Sequence, residues 1–363
     1  MGRPPAPRPE RGLRLATYNV EWFNALFNDA GRMLDDSGPS ARHGVTRDAQ
    51  LAALRVVFAA LDADGIMVIE APDTGSKRST VRALENFAAS AGIRARRAVT
   101  GFPSETEQEI AFLYDPDRIA VTHDPKGTLG AHRGQDGGPR FDGTYRYDLD
   151  ADGISETIRF SKPPLELALR DGARLLRLIG VHAKSKVPHA VDDPAAFTRI
   201  SIENRRKQLA QCLWLRERVN AHLAAGESVI VLGDLNDGPG LDEYEKLFGH
   251  SGVEVVLGLD AAPALRLTDP HAAMALAQPL GMTPTSARFW LAPEARYFEA
   301  LIDFIMVSPD LAAQHPVWRI WHPVNDPAVL EIEGLVEAIL TASDHFPVTL
   351  DLPPLKEAGP TPT

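Results

Sequence analysis

Short apolar runs, many rich in β-branched residues, recur along this chain. They alternate with longer segments whose apolar positions return every three to four residues. The short runs predict strands over residues 13–20, 65–69, 109–114, 175–182, 228–232, 301–307 and 346–352. The longer segments predict helices. Residues 46–61 place Leu51, Leu54, Val57, Phe58 and Leu61 on one face behind Thr46, a residue type that caps helices. Residues 79–91 begin at Ser79 and stop at Gly92. Residues 201–225 carry Leu209, Cys212, Leu213, Val219 and Leu223 on one side, and 241–248 form a short fourth helix. Strands interleaved with helices predict an α/β fold.

Two polar stretches, 24–45 and 125–143, have the length of functional rims or insertions. The first continues from a candidate site strand and is read as a rim. Residues 1–12 and 353–363 are Pro-rich and predict flexible tails, which leaves 13–352 as a single domain. A chain of 363 residues accommodates one large α/β domain. Its formal net charge of −11 argues against broad electrostatic attachment to nucleic acid or anionic membranes. A local basic rim can still guide a phosphate backbone. The single cysteine, Cys212, excludes an intrachain disulfide and reads as a buried core thiol. No run approaches the ~18 apolar residues of a membrane span. The first residues lack the apolar stretch of a signal peptide. A cytoplasmic protein without stable membrane association is expected, and the oligomeric state is left open.

Polar side chains gather where the apolar runs end. Asn19 and Glu21 follow the first run, and alternate positions of an extended strand face the same way, so an amide and a carboxylate stand side by side. Glu70 closes Gly65-Ile66-Met67-Val68-Ile69. A carboxylate at such a tip is either solvent-exposed or a metal ligand; Mg²⁺ favours one or two protein carboxylates. Asp234 and Asn236 sit two residues apart after Val229-Ile230-Val231-Leu232, where Asp, Asn and Gly also make an ordinary turn. His182 ends another run and precedes Lys184 and Lys186, cations of the kind a phosphate site needs. Ser343-Asp344-His345 precedes the last strand. Asp303, on a different strand, is a candidate partner for His345, because a buried carboxylate fixes an imidazole's tautomer and favours its charged form. Asp148-Leu149-Asp150-Ala151-Asp152-Gly153 begins like a calcium loop, but Arg159 stands where Glu belongs, and a polar hairpin is the better reading.

In order along the chain, these blocks resemble the endonuclease/exonuclease/phosphatase superfamily, with its deoxyribonuclease I-like fold. The matching blocks are Tyr18-Asn19-Val20-Glu21, Asp64 through Glu70, Val181-His182-Ala183-Lys184-Ser185, Gly233-Asp234-Leu235-Asn236, Ile302-Asp303-Phe304 and Ser343-Asp344-His345. Ile69 departs from the family's Gln, which alters the surroundings of Glu70. Leu235 stands in place of Phe, and Phe304 in place of His or Tyr.

The resemblance implies a four-layer sandwich, two packed β-sheets flanked by helices, with the site at one edge. It implies Mg²⁺ or Mn²⁺, held by Glu70 with Glu21 and Asp344. Asn19, Asn236 and His182 would bind phosphate oxygens. Asp234, with Asn236, would orient and deprotonate a water. His345, oriented by Asp303, would stabilise charge or move a proton. The function implied is divalent-metal-dependent hydrolysis of phosphate esters, by a phosphodiesterase or nuclease, with nucleic acid among the candidate substrates. Two alternatives stay open: a phosphomonoesterase acting on a small phosphorylated metabolite or lipid head group, and a non-catalytic metal- or phosphate-binding scaffold.

Overall fold

The structure, a computed structural model, describes residues 12–75, 77–135, 137–148, 153–188, 193–239, 249–277, 283–291 and 295–355. The helix predicted over 241–248 and positions 149–152 of the calcium-like stretch lie outside them.

Apolar runs buried on both faces become the middles of two sheets. In chain order the strands are Leu13–Asn19 (β1), Gly65–Pro72 (β2), Arg97–Thr100 (β3), Gln108–Tyr114 (β4), Ala120–His123 (β5), Tyr145–Tyr147 (β6), Glu156–Ile158 (β7) and Leu165–Asp171 (β8). They continue with Arg174–His182 (β9), Val229–Asp234 (β10), Ala287–Leu291 (β11), Arg296–Ala300 (β12), Asp303–Val307 (β13), Val317–Ile320 (β14) and Val348–Leu352 (β15). One sheet has six strands in the order β14-β15-β1-β2-β4-β3, and the other has five, β13-β10-β9-β8-β5. β1 is parallel to β2, and β9 to β10; the other pairs in both sheets are antiparallel. β6 with β7, and β11 with β12, form separate ribbons. β6 and β7 pair antiparallel on either side of the calcium-like stretch. Every predicted strand is present with shifted ends: β13 opens at Asp303 and β15 at Val348.

The sheets stack face to face. At their closest approach there is no room for a side chain: a Cβ on Gly180 of β9 would lie 2.4 Å from the sulfur of Met67 on β2. Helices cover the outer faces. Arg47–Leu61 (α1) and Thr80–Ala91 (α2) lie on the six-stranded sheet. Phe58 of α1 packs against Tyr18 of β1 and Phe87 of α2, with ring centroids 5.7 and 5.0 Å apart. Each fully buried ring of this kind contributes about 1.5–3 kcal/mol. Ser79 caps α2 as predicted, its hydroxyl accepting from the Arg82 amide, and Gly92 ends it in the left-handed conformation. Thr46 precedes α1 without capping it; its hydroxyl donates to Asp48 instead.

The third helix starts earlier than predicted, at Pro194 behind an Asp193 cap, and runs Pro194–Ala224 (α3) against the five-stranded sheet. Its predicted stripe is only partly right. Cys212 and Val219 are buried, but so are Arg205, Gln208, Arg218 and His222, while Leu209, Leu213 and Leu223 stay half-exposed. Burial pushes the Cys212 thiol up to about 12, as a core thiol requires. Trp214 packs among Phe141, Tyr145 and Phe160, and together with Arg218 it donates to the carbonyls of Gly137, Gly138 and Pro139. The second long polar stretch is thus fastened to α3. The remaining helices are Gly252–Leu257 (α4), Pro270–Ala277 (α5), Pro309–Ala312 (α6), Pro327–Leu330 (α7) and Leu335–Ala342 (α8), the last packed on α1. Among the described residues no helix is long and apolar enough to cross a membrane.

α5 gives the fold a pH dependence. Burial lowers the His271 imidazole to about 4. The neighbouring Asp269, 3.8 Å from the His271 ring, is itself raised to about 6 by burial. The folded state keeps His271 neutral while the unfolded chain takes up a proton below about 6.5. The contribution of His271 to stability is therefore full above that pH and is lost as pH falls toward 4, by about 3 kcal/mol in total, while the raised Asp269 contributes in the opposite sense. Urea denaturation across this range should show a shallower pH slope for His271→Gln than for the natural protein. Equal slopes would remove His271 from the acid response.

Candidate active site

Strand direction explains why distant blocks meet. The parallel pairs bring the C-terminal ends of β1, β2, β9 and β10, and with them Asn19, Glu70, His182 and Asp234, to one edge of the stacked sheets. The antiparallel neighbours bring their N-terminal ends to the same edge. Asp303 opens β13 directly across from Asp234, which has His182 across from it on its other side. Ser343, Asp344 and His345 lead into β15, beside β1.

The centre of this edge is a buried polar network. Asp234 accepts from the Asn19 side-chain amide at 3.0 Å and from the Asn236 backbone N–H at 2.7 Å. The Asn236 side chain donates to the Ala183 carbonyl at 3.1 Å, and His182 Nε2 lies 3.6 Å from Asp234. Burial, reinforced by Asp303, raises the Asp234 carboxyl to about 7. His345 Nδ1 and Asp303 Oδ2 are 2.8 Å apart. Burial alone would lower the His345 imidazole, but the Asp303 charge and hydrogen bond outweigh it and hold the ring well above its ordinary value. The imidazolium is thus the stable form. Ser286, from the segment before β11, donates to the same Asp303 oxygen at 2.8 Å, and the Phe289 ring packs edge-on against His345. His182 goes the other way: burial, with Lys162 and His345 nearby, keeps it neutral, and its buried Nδ1 has no hydrogen-bond partner.

Glu70 occupies a β-bulge. The pairing of β2 with β4 shifts register between Ile69 and Ala71, and Glu70 takes φ +62°. A bulge of this kind re-aims a side chain. One carboxylate oxygen, Oε2, accepts from the Trp22 backbone N–H at 3.0 Å and from Gln108 of β4 at 2.6 Å. Gln108 supplies across the sheet an amide that Ile69 cannot. Glu21 lies beyond the end of β1, in the turn, and Arg42 pairs with its carboxylate. Asn19 and Glu21 therefore engage different partners, Asp234 and Arg42. Arg42 also donates to the Leu340 carbonyl at 2.8 Å, which ties the 24–45 stretch across the site as a rim. The Ser343 hydroxyl joins the pieces, donating to the Asn19 carbonyl and accepting from the N–H groups of Glu21 and His345.

Of the expected basic pair, Lys186 is held by Asp237 at 2.9 Å. Lys162, before β8, is a further cation, whose charge is felt by Glu70 and His182. Lys162, Gln108, Ser286 and Arg42 were not singled out in the sequence; only Gln108, next to a predicted strand, carried a local signal.

The sequence model of the Endonuclease/Exonuclease/phosphatase family matches residues 16–345. The chain belongs to this family. The family has the deoxyribonuclease I-like α/β sandwich, and the four layers seen here are that fold. Similar solved structures include TDP2 from C. elegans, at 13% identity and a TM-score of 0.50, covering 96% of this chain and 76% of that one. The human nocturnin catalytic domain with bound sulfate is 12% identical, with a TM-score of 0.46 over 96% and 98% of the two chains. An AP endonuclease from Archaeoglobus fulgidus is 12% identical, with a TM-score of 0.45 over 94% and 99%. At 13% identity the likeness to TDP2 shows the fold alone. No curated protein matches the chain.

The donor set suits the divalent cation of an Endonuclease/Exonuclease/phosphatase member. Glu21, Glu70 and Asp344 offer hard oxygens, the kind Mg²⁺ prefers. Asp344 Oδ1 is buried and has no hydrogen-bond partner among the described residues. Burial, with Asp344 nearby, raises Glu21 to about 7 despite Arg42. Ligand atoms of Asp234, Asp303 and His345 also lie within 4.8 Å of one another. Two of these three groups already share the 2.8 Å hydrogen bond, which makes them a charge pair rather than open ligands.

Proposed function

We propose that this protein is a divalent-metal-dependent phosphodiesterase or nuclease, folded as one domain over 13–352. The observation that supports it most is the juxtaposition of two buried groups with distinct roles: an Asp234 raised to about 7 and a His345 held protonated by Asp303. A carboxyl raised toward neutral pH suits a general base, and an imidazolium fixed by a carboxylate suits charge stabilisation.

Asp234 takes the proton of the attacking water, its carboxylate held in place by Asn19 and Asn236. The His345 imidazolium faces the negative charge that builds on the phosphoryl oxygens, with Asp303 fixing its ring plane. Neutral His182 and the amides of Asn19 and Asn236 bind non-bridging oxygens, and the Lys162 ammonium adds a positive charge. A Mg²⁺ or Mn²⁺ ion held by Glu70, with Glu21 and Asp344, supplies further charge neutralisation when bound.

The substrate class follows from a panel of DNA, RNA, nucleotides, phosphoinositides and sphingomyelin, offered to the purified protein with Mg²⁺. Phosphodiester cleavage is expected to lead. Preferential release of inorganic phosphate from monoesters would replace this reading with a phosphomonoesterase, and inertness toward every ester would leave a binding scaffold.

A further inference from the structure

The turn that carries Asn236 is held from outside the site. Asn236 adopts φ +50°, a left-handed conformation that asparagine tolerates better than other non-glycine residues. Its backbone N–H is held by Asp234 and its side chain by Ala183. Its carbonyl is held by Gln208, a fully buried residue of α3.

The Gln208 amide nitrogen donates at 2.9 Å to the Asn236 carbonyl, at 2.9 Å to that of Lys184, and more weakly at 3.3 Å to that of Leu235. One side chain thereby spans the turn after β9, next to His182, and the turn after β10, which carries Asn236. Its oxygen accepts from Arg205 at 2.7 Å, which settles the orientation of the amide. Arg205 is itself fully buried and pairs with Asp237, whose carboxylate also accepts from Lys186 and from the Gly252 N–H at the start of α4. An apolar residue at 208 would leave buried carbonyls without donors, a costly loss in a low-dielectric interior.

We propose that Gln208, oriented by the Arg205–Asp237 pair, is a positioning residue that holds the Asn236 turn and the 183–187 turn in register. It rests on the proposed roles of Asp234 and Asn236, and it assigns Gln208 no contact with substrate.

Two variants of the full-length protein test this. Gln208→Met keeps the length and loses the donor. Gln208→Glu keeps the partner for Arg205 but turns an acceptor toward the three carbonyls. With Mg²⁺ and bis(p-nitrophenyl) phosphate, kcat should fall about 10–10²-fold in both, with KM and the Mg²⁺ half-saturation within about twofold, because misplacement of a reacting group lowers turnover more than binding. Gln208→Glu should lose more kcat than Gln208→Met while its thermal midpoint is no lower. Hydrogen exchange should quicken in peptides spanning 183–187 and 233–239 of Gln208→Met but not in α3. A kcat within about twofold of the natural protein, or losses that merely track thermal stability, would overturn the proposal. So would unchanged exchange in both turns. If the natural protein hydrolysed no phosphate ester, the proposed function would fail, and the exchange measurement would still decide whether Gln208 braces the turns.

Discussion

Glu70→Gln is expected to lower turnover by about 10²–10⁴-fold and to weaken Mg²⁺ binding, while the fold survives. The two oxygens of Glu70 have different duties. Oε2 is engaged by the Trp22 N–H and by Gln108, whereas among the described residues no hydrogen bond occupies Oε1. A glutamine can place its carbonyl oxygen in the engaged position and keep both bonds. Its NH₂ group then falls where the open oxygen was, and an amide nitrogen with two protons offers a hard cation no lone pair. The bulge and its left-handed backbone stay in place, so the thermal midpoint should move little. Burial already raises the Glu70 carboxyl, so losing its charge relieves a desolvation penalty. Calorimetric titration with Mg²⁺ separates the outcomes. Weakened binding with an unchanged midpoint is expected, and unchanged binding would remove Glu70 from the metal site.

The second large effect concerns Asp303 and His345. His345→Ala should reduce turnover by about 10²-fold or more, the usual scale for an electrostatic or proton-transfer group. Asp303→Asn should lose much of the same factor by a different route. The 2.8 Å contact with Asp303 is what keeps His345 charged against its own burial. An asparagine brings no charge, and the ring would revert toward the neutral form that burial favours. The Ser286 hydroxyl can still donate to the asparagine oxygen, so the local structure persists. Since the acid and the imidazole act as one unit, the double variant should be little worse than His345→Ala alone. Losses that multiply in a double-mutant cycle would show that the two residues act separately.

The sequence made the edge of the sheets legible because a polar residue at the end of an apolar run is a local pattern. Asn19, Glu70, His182, Asp234, Asp303 and His345 all carry it, and strand direction then brings them together. What stayed hidden depends on contacts across the fold. Gln108 reaches Glu70 from the neighbouring strand, and nothing near Ile69 in the sequence points to it. Lys162 lies before β8, which was not predicted although Leu165, Leu167 and Leu169 alternate along it. Lys186 drew attention by its distance from His182 along the chain, yet Asp237 holds it. In α3 the apolar spacing was followed, but the side facing the turns after β9 and β10 is polar. Gln208 is buried there because those turns present carbonyls that need donors, and Arg205 because Asp237 and the Gln208 oxygen accept from it. Buried polar groups of this sort break the rule that helix faces are read by. Strand alternation alone does not place Glu21, because β1 ends two residues earlier at Asn19.

The most direct measurement is turnover of bis(p-nitrophenyl) phosphate by protein stripped with EDTA and shown by elemental analysis to be metal-free. The clustered oxygens of Glu21, Glu70 and Asp344 predict no detectable hydrolysis in that state, and recovery when Mg²⁺ or Mn²⁺ is added back. Full activity in the verified metal-free protein would contradict a metal-dependent hydrolase at this edge of the sheets.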